Sequence, residues 1–332
     1  MAAIPRDEKG VALILTVTLI GIMVILTLQF SKSIRAGLYE TAGFDDSVRL
    51  GAVAKSGFNC ALAVLYEDDT TVDSLHDDWA SLNRYSSYSA GLFDGNWSFQ
   101  AVVTDLSGRI QINNLVYRSG EHKGEFNSEQ KEILARLLGD EPFDLKSDEV
   151  DDILSAIKDW IDEDDDPEGL DGAEDSYYQS LENPYSCRNA PFKSPDELLL
   201  VRGITRELFY GTEEKPGLAA YLTVYGEGRI NINTADPVVL KALSTEELDS
   251  GMIEEMVEYR DNEDNETELK DPKWYKKALG ASEEYFKPSL ITAKSSYFEI
   301  ASTGITGSRS KGVTGVVQRS GKRLIVKNWN VL

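Results

Sequence analysis

An acidic stretch at residues 148–175 holds the side chains best suited to bind a ligand. It contains fourteen acidic residues and one base, Lys158, so it carries −13 of the chain's net charge of −23. Carboxylates at this density repel one another unless water solvates them or a cation bridges them. The stretch therefore predicts a cation site, a solvated loop or a surface that docks a basic partner.

Five of these acids are the candidate ligands of one cation. They are Asp162, Asp164 and Asp166, which alternate along the chain, and Glu174 and Asp175, which follow a turn. Gly169 and Gly172 give the chain the freedom to turn back between the two groups. Oxygen ligands without His or Cys suit a hard cation, and flexible, crowded carboxylates favour Ca²⁺ over Mg²⁺. A bound calcium ion would stabilise the fold by tying the loop down.

The spacing is not that of an EF-hand. A loop of that kind starting at Asp162 would have Pro167 where the motif requires Gly and Ala173 where it requires a bidentate Glu. Asp159 is expected to lie apart from the candidate ligands, at the exposed end of the preceding amphipathic helix.

Few residues are available for nucleophilic or zinc catalysis. The chain has two histidines, His76 and His122, and two cysteines, Cys60 and Cys187. These four are far apart, so the participants of a Ser-His-Asp triad or a zinc site are missing, and the histidines are expected at the surface. A disulfide is possible if the chain is exported, but two unpaired, buried cysteines are the simpler expectation. The acids show no spaced pair that would indicate a glycosidase, so we predict that the protein is not an enzyme.

The negative charge also bears on partners. A chain with a net charge of −23 repels phosphate backbones, so nucleic acid is not an expected partner. Two stretches repeat, GRIQINN at 108–114 and GRININT at 228–234, and each is predicted to be a strand that leads into a helix. The second is similar to the start of a helix-hairpin-helix unit, but the acids that follow it favour a structural use over DNA binding.

Residues 11–30 form an uncharged, apolar segment. As a helix it would span about 30 Å, the hydrocarbon thickness of a bilayer. No small-residue cleavage site follows it, so we expect the helix to be retained. Arg6 and Lys9 favour a cytoplasmic amino terminus, which places the rest of the chain outside the cytoplasm.

Hydrophobic periodicity predicts the elements around the acidic stretch. The apolar segment continues without Pro, which predicts one helix over 11–66 of about 84 Å. Residues 67–96 are turn-rich and predict a loop. Helical signals include an amphipathic helix at 148–161 and helix starts at Ser194, Asp236 and Ser244. Strands are predicted at 97–106, 109–112, 296–302, 313–319 and 322–328, the last two joined by a hairpin at Ser320-Gly321.

This order predicts an α+β fold. A long N-terminal helix would pack on a small antiparallel sheet, and a large all-α domain would be inserted between the strands. The expected limits are 11–30 for the transmembrane helix, 31–115 with 293–332 for the α/β domain, and 116–292 for the inserted helical domain with its acidic metal-binding loop.

Lys9-Gly10 stands directly before the apolar segment, and this arrangement resembles the leader cleavage site of type IV prepilins and pseudopilins. The resemblance implies that residues 1–10 are a leader, cut after Gly10 by a prepilin peptidase, and that Val11 becomes the N-methylated terminus. Most members of the family have Glu at the fifth mature position, where this chain has Leu15. That departure is typical of the K subunit and implies a place at the filament tip.

Longer stretches resemble the K minor pseudopilins of type II secretion systems. The matching pieces are GRIQINNL, DWIDEDDDPEGLDGAEDSYY, SPDELLLVRGIT, YLTVYGEGRININTADP and SSYF, which with the leader cover nearly the full length. The resemblance implies a pilin-like domain with a helical insertion that binds calcium, here at Asp162, Asp164, Asp166, Glu174 and Asp175. It implies a single-pass protein of the bacterial inner membrane whose C-terminal domain lies in the periplasm.

The same resemblance predicts the role of the chain. It would be a structural subunit at the pseudopilus tip, in complex with the I and J minor pseudopilins, and it would support export of folded proteins across the outer membrane. The H-type and major pseudopilins are further expected partners. The alternative is a calcium-binding minor pilin of a surface type IV pilus.

Overall fold

The computed structural model describes residues 8–69, 71–93, 95–169, 172–245 and 248–331. Most of the predicted leader, residues 1–7, therefore lies outside the described residues, and the side chains of residues 8, 9, 38–42 and 87 do so as well.

The described helices and strands follow the predicted order of helix, strand, helical block and strands. The helices are α1 (Glu8–Glu67), α2 (Leu82–Ser86), α3 (Ser128–Gly139), α4 (Ser147–Ile161), α5 (Asp175–Gln179), α6 (Arg206–Tyr210), α7 (Pro237–Leu243), α8 (Ser250–Asp261) and α9 (Tyr275–Ala278). The strands are β1 (Trp97–Asp105), β2 (Ile110–Gln111), β3 (Leu222–Thr223), β4 (Ile230–Asn231), β5 (Ile291–Thr292), β6 (Tyr297–Thr306), β7 (Arg309–Ser320) and β8 (Arg323–Val331). Short 3₁₀ helices lie at Ser87–Leu92, Ile112–Leu115, Pro195–Leu200, Leu218–Ala220 and Glu263–Lys270.

Helix α1 is continuous over 60 residues, about 90 Å at 1.5 Å per residue, as predicted. Its two halves have different surroundings. Gly10–Gly37 is strongly apolar and unburied, which fits a membrane-spanning segment. Gly43–Glu67 is also long and apolar enough to span a bilayer, but 39% of its most apolar stretch is buried against the protein. The first half is therefore a single membrane anchor, and the second half belongs to the folded body.

The second half of α1 packs on a four-stranded sheet. The residues that do so recur at helical spacing and are buried: Val53, Ala54, Phe58, Ala61 and Leu65. Gly57 lies at a close approach of helix and sheet, because a Cβ atom there would overlap the hydroxyl of Ser302 and lie 2.7 Å from the ring of Phe99. The small-antiparallel-sheet prediction is confirmed, and a glycine sets the distance between the two layers.

The sheet has the order β1-β6-β7-β8, and every neighbouring pair is antiparallel. The predicted hairpin between the last two strands is present, with Gly321 at a φ of 57° in its turn. β6 and β7 are longer than predicted, because the glycine-rich and polar residues 303–312 lack a strand pattern yet pair with one another, Thr303 with Gly312 among them.

A second buried core fills the helical block. The predicted amphipathic helix is α4, and its apolar stripe is buried. The block is not purely helical, which corrects the all-α description, because it contains two short parallel strand pairs, β2 with β3 and β4 with β5. The domain limits remain a prediction, but Ile110, Ile112 and Leu115 pack in the core of the helical block rather than with the sheet.

The repeated stretches adopt the same local structure. In each, the first Ile begins a parallel pair, Ile110 with Leu222 and Ile230 with Ile291. A buried Asn follows three residues later and donates its amide to a distant carbonyl: Asn113 to Phe192 O at 3.1 Å and Asn233 to Leu269 O at 3.0 Å. A 3₁₀ helix follows the first strand and α7 follows the second, so the prediction of a strand leading into a helix is confirmed.

Several local predictions were wrong. The predicted loop at 67–96 contains α2 and a 3₁₀ helix, and the SPDELLL segment forms a 3₁₀ helix. The helix expected to start at Ser244 starts at Ser250, because Asp249 caps it by accepting the amide of Met252 at 2.8 Å. The two cysteines are unpaired, but Cys60 is exposed rather than buried.

Candidate functional site

The acidic loop after α4 is closed by the carboxylate of Asp159. Its Oδ1 accepts the amide of Glu168 at 3.0 Å and its Oδ2 accepts the amide of Ala173 at 2.6 Å, and the side chain is fully buried. The expectation that Asp159 would be an exposed helix end was wrong. Its helical position is off the apolar stripe, and it is the loop folding back over it that buries it.

Three of the five candidate ligands converge. Each of Asp162, Asp164 and Glu174 offers a carboxylate oxygen within 4.8 Å of the others. Asp162 directly follows α4, and Glu174 directly precedes α5, so the ends of two helices fix two of the three. The chain between them brings Asp164 to the same place from the loop.

The converging oxygens lack protein partners. Oδ1 of Asp162 and both Oε atoms of Glu174 are buried and form no hydrogen bond, although Asp162 is only 3% exposed and Glu174 only 2%. Burial raises the pKa of Glu174 to about 8, and the charges of Asp159, Asp162, Asp165 and Asp164 add to the rise. Burial likewise raises the pKa of Asp162 to about 6, against the opposing effect of Lys158.

Asp166 and Asp175, the other two candidates, are not part of this group among the described residues. The backbone amide of Asp166 donates to Oδ1 of Asp164 at 3.0 Å, and the Asp166 side chain is exposed. Asp175 Oδ1 accepts the amide of Cys187 at 3.0 Å, which ties α5 to the following loop. The first is better described as part of the loop's turn and the second as a structural contact.

Two residues of the site were missed from the sequence. The Nζ atom of Lys158 lies 3.0 Å from Asp162 Oδ2 and 2.8 Å from Glu168 Oε2, so it neutralises part of the cluster. Asn189 donates its amide to Asp164 O at 2.7 Å and to Asp165 Oδ1 at 2.9 Å, while its own buried Oδ1 has no partner. The sequence signal for Lys158 was its being the single base in the acidic stretch, whereas nothing local indicated Asn189.

This donor set fits a hard divalent cation. Calcium takes six to eight oxygen ligands at about 2.3–2.6 Å, so ligands on opposite sides of the ion lie about 4.8 Å apart. Buried carboxylate oxygens without partners are otherwise unfavourable. Asp162, Asp164 and Glu174 would hold the ion, and Asn189, which contacts the loop from the segment after α5, has an unpartnered neutral oxygen, Oδ1.

A second carboxylate cluster has a different character. Asp68, Asp73 and Asp77 also offer oxygens within 4.8 Å of one another. Here, however, the guanidinium of Arg319 supplies the positive charge: it donates to Asp68 Oδ2 at 2.6 Å and to Asp73 Oδ1. This cluster is therefore a buried ion-pair network, in which a guanidinium takes the place that a cation would fill.

The predicted processing site lies at the start of α1. Gly10 and Val11 are helical residues, and Val11 and Leu15 are exposed along the unburied half of the helix. Cleavage after Gly10 and methylation of Val11 stay predictions.

The chain was compared with known proteins. A family model described as "Type II secretion system (T2SS), protein K" matches residues 108–214, a range that contains the acidic loop. The type II secretion system protein K of Aeromonas hydrophila is 26% identical over 239 residues, 70% of this chain and 69% of its own. That of Pseudomonas aeruginosa is 26% identical over 267 residues, 78% and 74% of the two chains.

A solved structure supports the fold. A chain in the crystal structure of the GspK-GspI-GspJ complex from the type 2 secretion system of enterotoxigenic Escherichia coli matches with a TM-score of 0.62 and 17% identity. The match covers 88% of this chain and 99% of that one. The family model and the curated relatives support the type II secretion system protein K family, and the solved structure supports its fold.

These matches support a minor pseudopilin of a type II secretion system. The pilin-like architecture expected of the family is present, with the long helix, the small sheet and the helical block between the strands. The alternative of a surface-pilus subunit is not favoured, since the matched relatives are secretion proteins.

Proposed function

We propose that this minor pseudopilin sits at the tip of the secretion pseudopilus, in complex with the I and J minor pseudopilins. The observation that carries the proposal is its match, over nearly all of the other chain, to a member of a GspK-GspI-GspJ complex. Leu15 replaces the glutamate that would pair with a preceding subunit, and the bulky helical block hinders further stacking above it. The H-type and major pseudopilins would lie below.

The proposed location is the bacterial inner membrane, with the body of the protein in the periplasm. The unburied apolar half of α1 supports the anchor, and Arg6 and Lys9 support a cytoplasmic amino terminus before a prepilin peptidase cuts after Gly10. Export of folded proteins across the outer membrane is the process that the filament would serve.

The acidic loop is proposed to bind calcium through Asp162, Asp164 and Glu174. The ion would hold the loop against the ends of α4 and α5, so that its part is to stabilise the helical block. Asp166 and Asp175, predicted with these residues, would act through the loop and not as direct ligands.

A structural role without catalysis is part of the same proposal. Both histidines are engaged in ordinary contacts: His76 Nε2 lies 2.8 Å from Arg260 O, and His122 Nδ1 lies 2.8 Å from Glu125 Oε2. His122 is exposed as expected, whereas His76 is half-buried.

The test is to delete the chain from its own cell and to purify it in detergent with the I- and J-type subunits. We expect exoproteins to accumulate folded in the periplasm, because export across the inner membrane does not need the pseudopilus. Light scattering of the purified material should give one copy of each subunit. Normal secretion in the deletion strain, or a chain that elutes alone, would contradict the tip assignment.

A further inference from the structure

A cleft of about 340 Å³ lies where the end of the sheet meets the helical block. We call it the junction cleft. Its walls are formed by residues of four segments, 106–111, 225–229, 292–297 and 318–320. Both repeated stretches and the strands β5 to β7 therefore contribute to it.

The charge of the junction cleft is opposite to that of the chain. Four basic residues line it, Arg109, Arg229, Lys294 and Arg319, against one acid, Glu227. The net charge of the whole chain is −23. Such a local reversal concentrates positive potential in a concave site, where it attracts anionic groups.

Three of the four cations have hydrogen-bonding capacity to spare. Arg319 is occupied by Asp68 and Asp73. Within the described parts of the chain, Arg109 donates only to Ala219 O at 3.3 Å, and Arg229 donates only to Ile291 O, at 3.1 and 2.6 Å. A guanidinium has five N–H donors, so each arginine retains most of them. Lys294 is exposed, and none of the three has an ion-pair partner among the described residues.

Two acids near Arg109 act on it electrostatically without contacting it directly. Glu299 and Asp105 are the acids that act electrostatically on Arg109, against the burial that lowers its pKa. Asp105 accepts hydrogen bonds from the hydroxyls of Ser295 and Thr234. Arg109 therefore faces the cleft without a carboxylate in direct contact among the described residues.

The two arginines occupy the same position of the repeated stretches. Arg109 belongs to GRIQINN and Arg229 to GRININT, and the amide of Asn231 donates to Ser107 O at 2.8 Å, which holds the repeats side by side. Strand pairing and the buried asparagines account for the isoleucines and asparagines of the repeat. Each arginine gives part of its donors to a backbone carbonyl near its strand pair, Ala219 O or Ile291 O, and both arginines line the same cleft.

We propose that the junction cleft binds an acidic peptide segment of a partner protein, whose carboxylates pair with Arg109, Arg229 and Lys294. Arginine matches a carboxylate through two parallel hydrogen bonds. The rings of Tyr225 and Tyr297 are stacked, with their centroids 5.7 Å apart, and give the aliphatic part of such a segment a surface to pack on. The volume also exceeds what a single inorganic anion fills.

The test uses the full chain in uncharged detergent and a fluorescein-labelled peptide of glutamates, followed by anisotropy. The matched peptide of glutamines reports contacts that do not need charge. Lys294→Gln and Arg229→Gln each remove one cation of the cleft, and Lys327→Gln removes an exposed cation from β8 outside it. Inorganic phosphate is added as a competitor, and thermal unfolding checks that each variant is folded.

We expect the glutamate peptide to bind, the glutamine peptide not to bind, and each cleft variant to raise the Kd about fivefold while Lys327→Gln leaves it unchanged. The proposal would be overturned if the glutamate peptide bound the wild type and Lys294→Gln with equal affinity. It would also be overturned if phosphate displaced the peptide at equal concentration, because that result would indicate an adventitious ion only. If Arg229→Gln unfolds the chain, Lys294→Gln decides alone, since its ammonium makes no hydrogen bond among the described residues.

Discussion

Asp73 and Arg319 form an ion pair in which both side chains are buried, at 0% and 2% exposure. Asp73 lies in the segment after α1, and Arg319 lies near the end of β7. The amide of Ser295 also donates to Asp73 at 2.7 Å, and Arg319 donates to Asp68 as well. One guanidinium thus ties together the end of the long helix, the last hairpin and the chain that leaves the helical block.

Replacing Arg319 with Gln should strongly destabilise the protein. The change leaves Asp68 and Asp73 without their cation, and removing one partner of a buried pair costs about 3–5 kcal/mol. Chemical denaturation measures the loss. Arg323→Gln, on the exposed start of β8, is the control and should have little effect. Adding Asp73→Asn to Arg319→Gln should recover part of the loss, and a stability equal to wild type for Arg319→Gln alone would refute the network.

The stability of the protein should fall between about pH 4 and pH 6 through Asp77. Burial raises the pKa of Asp77 to about 6, and the charge of Asp68 adds to the rise. The folded state therefore binds this proton more tightly than the unfolded state, so the stabilisation is present at low pH and is lost as the pH rises through 6. In thermal unfolding, the midpoint of the wild type should fall relative to that of Asp77→Asn as the pH rises over this window. Parallel curves would contradict the raised pKa.

Calcium should invert the stability order of wild type and Glu174→Gln. Without the ion, Glu174 adds a buried carboxylate to a crowded cluster, so the variant in chelator should match or exceed the wild type. With calcium at 100 times its Kd, the wild type should gain about 2.7 kcal/mol and the variant much less. Thermal unfolding in calcium and in chelator gives the comparison.

Glu182→Gln is the matched control for that experiment, because Glu182 is an exposed acid close in sequence to the site. It should respond to calcium as the wild type does. A wild type whose midpoint is the same in calcium and in chelator would rule out the metal site.

Two glycines of α1 should respond to alanine in opposite directions. At Gly57 the added methyl group overlaps Ser302 and Phe99, so Gly57→Ala should destabilise the protein by about 1–3 kcal/mol. A Cβ atom at Gly51 would lie 3.8 Å from its nearest neighbour, which belongs to the flexible side chain of Lys311. Gly51→Ala should therefore stabilise the helix by up to about 1 kcal/mol. Chemical denaturation of the two variants tests whether α1 and the sheet are as close at Gly57 as described. A Gly57→Ala variant as stable as the wild type would contradict that close approach.

The sequence predicted the elements whose signals are local. The anchor helix, α4 and β1 follow from an apolar run, a helical stripe and an alternating pattern, and each was found within a few residues of its expected bounds. The middle of the β6–β7 hairpin was missed, because residues 303–312 are held by pairing partners rather than by their own β propensity.

The candidate site was predicted only in part, for the same reason. Asp162, Asp164 and Glu174 could be proposed because acids cluster in the sequence. The burial of Asp159 and the contacts of Asn189 arise when the loop folds over α4, and no periodic pattern encodes them. The buried network at Arg319 joins residues hundreds of positions apart, which a single sequence does not reveal.

The strand order sets a sequence of events in the making of this protein. β1 pairs with β6, which lies on the far side of the whole helical block, and β7 and β8 follow it. During synthesis β1 stays unpaired until β6 has been made. The helical block can fold before that, because its core is complete within residues 110–291. The final hairpin then completes the sheet under α1 in one late step. Truncation within β7 or β8 would leave β6 or β7 as an unpaired sheet edge, so incomplete chains of this protein should associate edge to edge and aggregate.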